Sequence, residues 1–290
     1  MNILFEKLKE KNHQVEGKKN RMLFIGVAVM MITGGALLMV DIDRFSTVSA
    51  FLIFFALIGL IIGLFVIALK SSRLRQQRIK HSVEVIYKKY IEDYNIKNGS
   101  SYQFDTINEV KEKWYLVPSF AHIDCDYSLE NDDIKMYHGT AFNKVGDKQQ
   151  VTYYFKGIYI VLDGPLGDCQ YRDKAKLTEK IINHFKNIYA NDEFSLSNYQ
   201  YKQEEESGTF YSQNKEKMPL VMKNILANLR TIAFVDSVKI GLKNKRLHIA
   251  IEQDAIRLPY IKKYTQKELD EIQKVVNESA KLLDGILALR

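Results

Sequence analysis

The chain has 290 residues, 46% of them hydrophobic, and a formal net charge of +7, enough for one or two domains. The charge is unevenly placed: residues 1–21 carry six Lys/Arg against three Glu, residues 70–80 carry five basic groups and no acid, and residues 81–290 are neutral. That distribution argues against a nucleic-acid partner, because a nucleic-acid domain carries its positive field on itself. Cys125 and Cys169 are the only cysteines, so neither a disulfide framework nor a CxxC zinc site is expected, and the pair fits a reducing compartment.

Taken in chain order, a basic tail (residues 1–21) is followed by two apolar segments. Residues 22–40 contain no charge and only Thr33 as a polar side chain; residues 48–69 contain only Ser49. As helices they rise about 28 and 33 Å, matching a hydrocarbon core of about 30 Å. A cleaved signal peptide fits poorly, since Val40 runs into Asp41-Ile42-Asp43-Arg44 and no small-residue cleavage site follows. The expected arrangement is a two-helix transmembrane hairpin over residues 22–69. Lys18, Lys19 and Arg21 precede it, and Lys70, Arg73, Arg75, Arg78 and Lys80 follow it. Basic residues outside both spans place both termini in the cytoplasm of a cell whose inner membrane holds the hairpin.

The basic run also suits anionic lipid at the bilayer surface. Gly59 and Gly63 in the second span, with Gly26, Gly34 and Gly35 in the first, permit close helix packing, either within the hairpin or in a homo-oligomer. No ionisable side chain lies inside either span, which argues against a proton relay or a charge-lined ion path. A passive pore of many copies stays open.

Residues 71–94 keep a helical pattern through Leu74, Ile79, Val83, Ile86, Tyr87, Tyr90, Ile91 and Tyr94, so a basic juxtamembrane stalk helix is expected over residues 70–97. The stretch NIKNGSS ends it, and Thr106 with Glu109 reads as a capping box for a short helix ending near Trp114. Strands are expected at residues 121–127, 133–144 and 150–162, with a turn at 163–168. A helix follows at 177–189, then strands at 194–201 and 208–212 around an acidic loop, Glu204-Glu205-Glu206. Residues 218–232 form the clearest amphipathic helix. Residues 235–242 and 246–251 read as a hairpin, and Thr265 with Glu268 caps a last helix running nearly to Arg290. Strands and helices do not alternate regularly, so residues 98–290 are expected to be a cytosolic α+β domain with mainly antiparallel sheet.

The order of these parts resembles the bacterial family known as domain of unknown function 3137. The residues that carry the resemblance are ENDDIKMYHG (130–139), Phe155-Lys156-Gly157 within YYFKGIYIVLD, and the stretch from Glu193 through MPLVMKNILANLRTIAFVDSVKIGLKNKRLHIAIEQD. It spans most of residues 70–260. It implies the layout of a span pair, a basic juxtamembrane helix and a domain, and it supplies no activity or catalytic residue.

No P-loop, G-x-G-x-x-G, G-x-S-x-G or H-E-x-x-H motif is present. The best constellation is His122, Asp124 and Asp126, which strand alternation places on one face, with Ile123, Cys125 and Tyr127 on the other. Three such groups can meet a divalent ion, although alternation alone also produces a solvated polar face. Gly164-Pro165-Leu166-Gly167 reads as a turn, with Pro where a phosphate loop needs a backbone N–H. Three functions compete: a membrane-anchored binding or scaffold module with an unknown protein or small-molecule partner and no cofactor; a ligand-sensing effector whose spans oligomerise; and a membrane-bound metal-dependent enzyme using the His122 face.

Overall fold

The computed structural model describes residues 84–106, 110, 113–145, 150–173, 196, 199–232, 235–253 and 265–289, with residues 6–10, 13–14, 17, 20–21, 24–28 and 61 nearer the N-terminus. The chain divides into two compact units, Met1–Ile86 with Ile261–Glu268, and Tyr87–Tyr260 with Leu269–Arg290. In the first unit the described residues near the N-terminus are helical. Most of both apolar segments, their linker and the basic run at 70–80 lie outside the described residues, as do Gly59 and Gly63. Among the described residues no helix is long and apolar enough to cross a membrane.

The second unit is built on a nine-stranded sheet in the order β1-β2-β3-β4-β9-β8-β5-β7-β6. Its strands are β1 (Gln103–Asp105), β2 (His122–Glu130), β3 (Ile134–Val145), β4 (Gln150–Asp163), β5 (Asp168–Asp173), β6 (Tyr201–Glu204), β7 (Gly208–Ser212), β8 (Ser237–Lys243) and β9 (Arg246–Glu252). Every pairing is antiparallel, so the expected α+β class with antiparallel sheet holds. Among the described residues three helices accompany it: α1 (residues 84–98), α2 (Leu220–Arg230) and α3 (Gln266–Leu287).

Register explains how the sheet is covered, because residues paired across antiparallel strands point to the same side. On one face Leu129, Met136, Ile160, Ile249, Ile240, Tyr171 and Phe210 pair in an unbroken row over seven strands, all buried. Helices α2 and α3 cover that face. Met222 of α2 brings its Sδ to 3.7 Å from Cys169 Sγ, and Ser279 of α3 lies 3.3 Å from the Tyr127 hydroxyl. The apolar stripe of α2 is Met222, Ile225, Leu226 and Leu229. Helix α3 starts at the expected box: Glu268 N–H donates to Thr265 Oγ1 at 3.3 Å, and Thr265 N–H donates to Glu268 Oε2 at 2.8 Å.

The second face changes chemistry along the sheet. Over β2, β3, β4 and β9 it is apolar, with Cys125, Tyr137, Ala141, Phe155, Tyr159 and Ala250 packed under Trp114, Leu116 and Val117. The Trp114 ring stacks on Tyr159 with centroids 4.4 Å apart. Strand β4 is therefore buried on both sides in its second half, which is why YYFKGIYIVLD reads as a nearly continuous apolar run. From β8 outward the same face carries Lys239, Arg172, Thr209 and Glu204, paired in sequence.

Several expectations change. Strand β5 starts at the last residue of the expected turn and fills a stretch where no element was expected, and β1 was not expected at all. Residues 163–168 do not make a turn between neighbouring strands: β8 and β9 lie between β4 and β5, so the segment crosses the tip of that hairpin. Gly164 N–H donates to Lys245 O at 2.9 Å. A Cβ at Gly164 would stand 3.0–3.2 Å from atoms of Leu242 and Leu247, so glycine lets the strap lie close. The hairpin turn itself is two residues, Asn244 and Lys245, with φ of 52° and 62°, the pattern of a type I′ turn. Of the expected strand at 194–201, residues 194, 195, 197 and 198 lie outside the described residues; β6 starts at Tyr201 and takes in Glu204, leaving Glu205 and Glu206 to the connection. Residues 113–120 form turns and irregular backbone in place of the end of the expected short helix, and residues 107–109 and the expected helix at 177–189 lie outside the described residues. Helix α1 ends where NIKNGSS was expected to end it. Gly99 has a φ of +69° and donates its N–H to Asn95 O at 2.8 Å, a glycine helix stop.

Candidate functional site

The chemistry of the second face changes at the border between β9 and β8, and a cleft opens there. Its lining includes Tyr115, Leu116, Gln170, Tyr199, Gly241 and His248. Each strand delivers its part by register: His248 of β9 is opposite Gly241 of β8, and Gly241 is opposite Gln170 of β5. Gly241 makes room for the cover, since a Cβ there would come within 2.9 Å of Leu116 Cδ2. The space is about 10 Å³, room for about one water molecule or one atom group of a ligand.

His248 is 3% exposed, and its Nε2 has no hydrogen-bond partner among the described residues. Its Nδ1 lies 3.1 Å from the Tyr159 hydroxyl, and that hydroxyl already accepts the Leu116 N–H at 3.2 Å. With the Tyr159 proton directed at Nδ1, the neutral ring carries its own proton on Nε2; in the other tautomer Nδ1–H donates to the phenol and Nε2 is an acceptor. Burial, with Arg246 nearby, pushes the His248 pKa down to about 4, which keeps the ring neutral near pH 7. The result is a neutral imidazole in the lining of the cleft, edge-on to the Tyr115 ring at 4.9 Å, whose buried Nε2 meets no hydrogen-bond partner among the described residues.

The opposite wall is a closed polar chain. Gln170 Nε2 donates to the Tyr199 hydroxyl at 2.9 Å, and that hydroxyl donates to Asp168 Oδ1 at 3.0 Å. Asp168 Oδ2 is held by Lys243. Arg172 Nη2 donates to Gln170 Oε1 at 2.8 Å. Burial, then the Asp168 charge, holds the Tyr199 phenol above its usual range. None of these bonds reaches His248 Nε2.

His122, Asp124 and Asp126 are all exposed, but they do not form a common site. A bulge at Asp126 shifts the register between Cys125 and Tyr127, pairing Cys125 with Gly139 and Tyr127 with His138. Tyr127 therefore turns to the helix-covered face, a correction to the alternation that grouped it with Ile123 and Cys125. Asp126 Oδ2 lies 3.0 Å from His138 Nδ1. His122 packs edge-on against Phe142. Among the described residues no three His, Cys, Asp or Glu side chains are grouped as a metal site. Cys125 and Cys169 are both buried, and burial pushes each thiol up to about 12, which keeps them protonated and inert.

The sequence reading passed over His248 because HIAIE reads as an ordinary strand. The signal it held is the placement of His248 and Arg246 on the side opposite Leu247, Ile249 and Ile251. No family model matches the chain, and no curated protein or solved structure matches it either.

Proposed function

We propose that the chain is a membrane-anchored, non-catalytic binding or scaffold module whose α+β domain works at the cytoplasmic face of the inner membrane. One observation carries this reading: two apolar segments of spanning length, free of charge, with clusters of basic groups on their outer sides and only Arg44, beside Asp41 and Asp43, between them. The layout implied by the family resemblance agrees with it. In this reading Lys70, Arg73, Arg75, Arg78 and Lys80 meet anionic headgroups, and Gly59 and Gly63 lie at a helix contact, within the hairpin or between copies. The experiment is a reporter fused after Arg290, read together with carbonate extraction of the membranes. A membrane-retained chain active only with a cytosolic reporter is expected; a chain released by carbonate, or active with an exported reporter, overturns the reading.

A ligand-sensing effector is the second reading, and the observation favouring it is the unpartnered His248 Nε2 beside the cleft. Native mass spectrometry of the purified full chain tests it. A small acceptor-bearing molecule retained by the wild-type chain and lost on His248→Phe supports sensing, and a chain that carries nothing removes it.

A further inference from the structure

We propose that residues 113–120 form a lid over the second sheet face, shut while His248 is neutral and released when that imidazole takes a proton. The device lies within the second unit, so it stands or falls apart from the anchored reading. The lid is irregular backbone leading into β2. Within it Val117 N–H donates to Trp114 O at 3.3 Å and Ala121 N–H to Pro118 O at 3.0 Å, bonds that turn the segment without tying it to the sheet. Leu116 N–H does cross to the sheet, donating to the Tyr159 hydroxyl at 3.2 Å. Packing adds to the hold, with Trp114 flat on Tyr159 and Leu116 closing over Gly241. Shutting has a standing cost. Trp114 Nε1 and His248 Nε2 are both buried at this contact, and neither has a hydrogen-bond partner among the described residues. Each regains water when the lid lifts. Irregular segments with few ties to the core open locally, below the free energy of global unfolding.

Protonation strikes the same contact. An imidazolium carries hydrogen on both ring nitrogens, so its Nδ1 can only donate to the Tyr159 oxygen, the atom that already accepts the Leu116 N–H. Its Nε2–H, now on a cation, stays buried with the Tyr115 ring edge-on at 4.9 Å. Lys113 Nζ stands 5.4 Å from the centroid of that ring, so a second cation already uses it. The charges on the strands around His248 give no relief. Arg246, on its own strand, repels a positive ring. Asp163 of β4 lies 3.9 Å from Arg246 Nε, Asp168 of β5 is held by Lys243 of β8, and Glu252 of β9 lies 3.1 Å from Lys239 of β8. Each of these carboxylates already answers a cation, and burial keeps the Tyr199 phenol neutral. Lifting the lid returns the imidazolium to water. With the lid shut the His248 pKa is about 4, against 6.5 for an exposed ring. The open state therefore binds the proton first, and the equilibrium shifts towards it as pH falls from 6.5 to 4. From pH 7 to pH 5 the opening constant rises about 20-fold.

Amide hydrogen exchange of the detergent-solubilised full chain tests this, read by mass spectrometry in peptides covering residues 113–120 and 157–162 and corrected for the intrinsic effect of pH. Protection of residues 113–120 is expected to be lower than that of β4 at both pH values. It is expected to fall about 20-fold from pH 7 to pH 5 and to be unchanged by low urea, as a local opening requires. His248→Gln, with His248→Phe as a second uncharged variant, is expected to give residues 113–120 the same protection at both pH values. Wild-type protection that does not fall at pH 5 overturns the proposal. A fall of the same size in either variant overturns it too, because another group then drives the opening. If residues 113–120 share the protection and the urea slope of β4, protonation acts through global unfolding and the lid is overturned as well.

Discussion

Gly157 sits in the middle of β4, opposite Gly139 on one side and Glu252 on the other. Its φ is +150°, and a Cβ built there would stand 2.1 Å from Ile251 O and 3.0 Å from Gln253 N. Both obstacles are backbone, so Gly157→Ala cannot be relieved by a side-chain rotation. Either β9 shifts by more than an ångström or Gly157 leaves its φ. The φ strain costs about 1–3 kcal/mol. Displacing β9 also endangers the bond from Gln253 N–H to Lys156 O and its neighbour in the ladder, at about 0.5–1.5 kcal/mol each. Together the loss is about 2–6 kcal/mol, centred near 4, a large part of the 5–15 kcal/mol typical of a folded domain. The assay is urea unfolding of the detergent-solubilised full chain followed by Trp114 emission, since that ring stacks on Tyr159, two residues from Gly157. With a slope of about 2 kcal/mol per molar urea, the midpoint falls by about 2 M. Gly99→Ala is the control. Gly99 also has a positive φ, +69°, but nothing lies within 4 Å of its added Cβ, so that change costs about 1 kcal/mol. A Gly157→Ala midpoint no lower than that of Gly99→Ala would refute the close approach of β9.

His248 contributes a pH dependence. Its folded pKa lies below its unfolded value of 6.5, at about 4, so the unfolded chain binds the extra proton. Stability is therefore lost as pH falls from about 6.5 to about 4, by about 3 kcal/mol, and His248→Gln should flatten that part of the stability curve relative to wild type in urea melts at stepped pH. Tyr94 and Tyr102 each donate to Asp284 at 2.6 Å; Tyr102→Phe is expected to cost about 1.5–3 kcal/mol, as for a bond to a charged group. The combined Tyr94→Phe and Tyr102→Phe loss should differ from the sum of the single losses in a double-mutant cycle, because both hydroxyls serve one carboxylate. Cys125 and Cys169 should resist a thiol reagent in the folded chain and react on unfolding, in the same two-step labelling measurement; fast labelling of the native protein would contradict their burial. Asp124→Asn, with its carboxyl exposed on β2, should change stability by less than about 0.5 kcal/mol.

How much of this was legible in the sequence depended on whether the cause was local. Strands β3 and β4 announced themselves because alternating or continuous apolar side chains reflect which faces are buried. Helix α3 announced itself through Thr265 and Glu268, whose capping bonds form within one turn. Strand β5 did not, because DCQYRD has charged ends and one polar side, and it follows directly on a Gly-Pro stretch. The bulge at Asp126 was equally hidden: an extra residue leaves the composition unchanged and reverses the face of everything after it. The strap at 163–168 reads locally as a turn, and only the distant hairpin of β8 and β9 makes it a crossing.

The candidate site is illegible for the same reason, carried further. Its imidazole comes from β9, its floor from β8 and β5, and its cover from the stretch around Leu116, segments spread over more than a hundred positions of the chain. What brings them together is the change of chemistry on one sheet face. Over β2, β3, β4 and β9 that face is core, and Tyr159 must spend its hydroxyl inside it. The Leu116 N–H and His248 Nδ1 meet that hydroxyl, which holds the imidazole with its Nε2 unpartnered among the described residues. On β8 the facing position is Gly241, which brings no side chain to that edge, and the Tyr115 ring stands edge-on to the imidazole at 4.9 Å. A buried tyrosine's need for partners thus orients one imidazole at the border of the polar half.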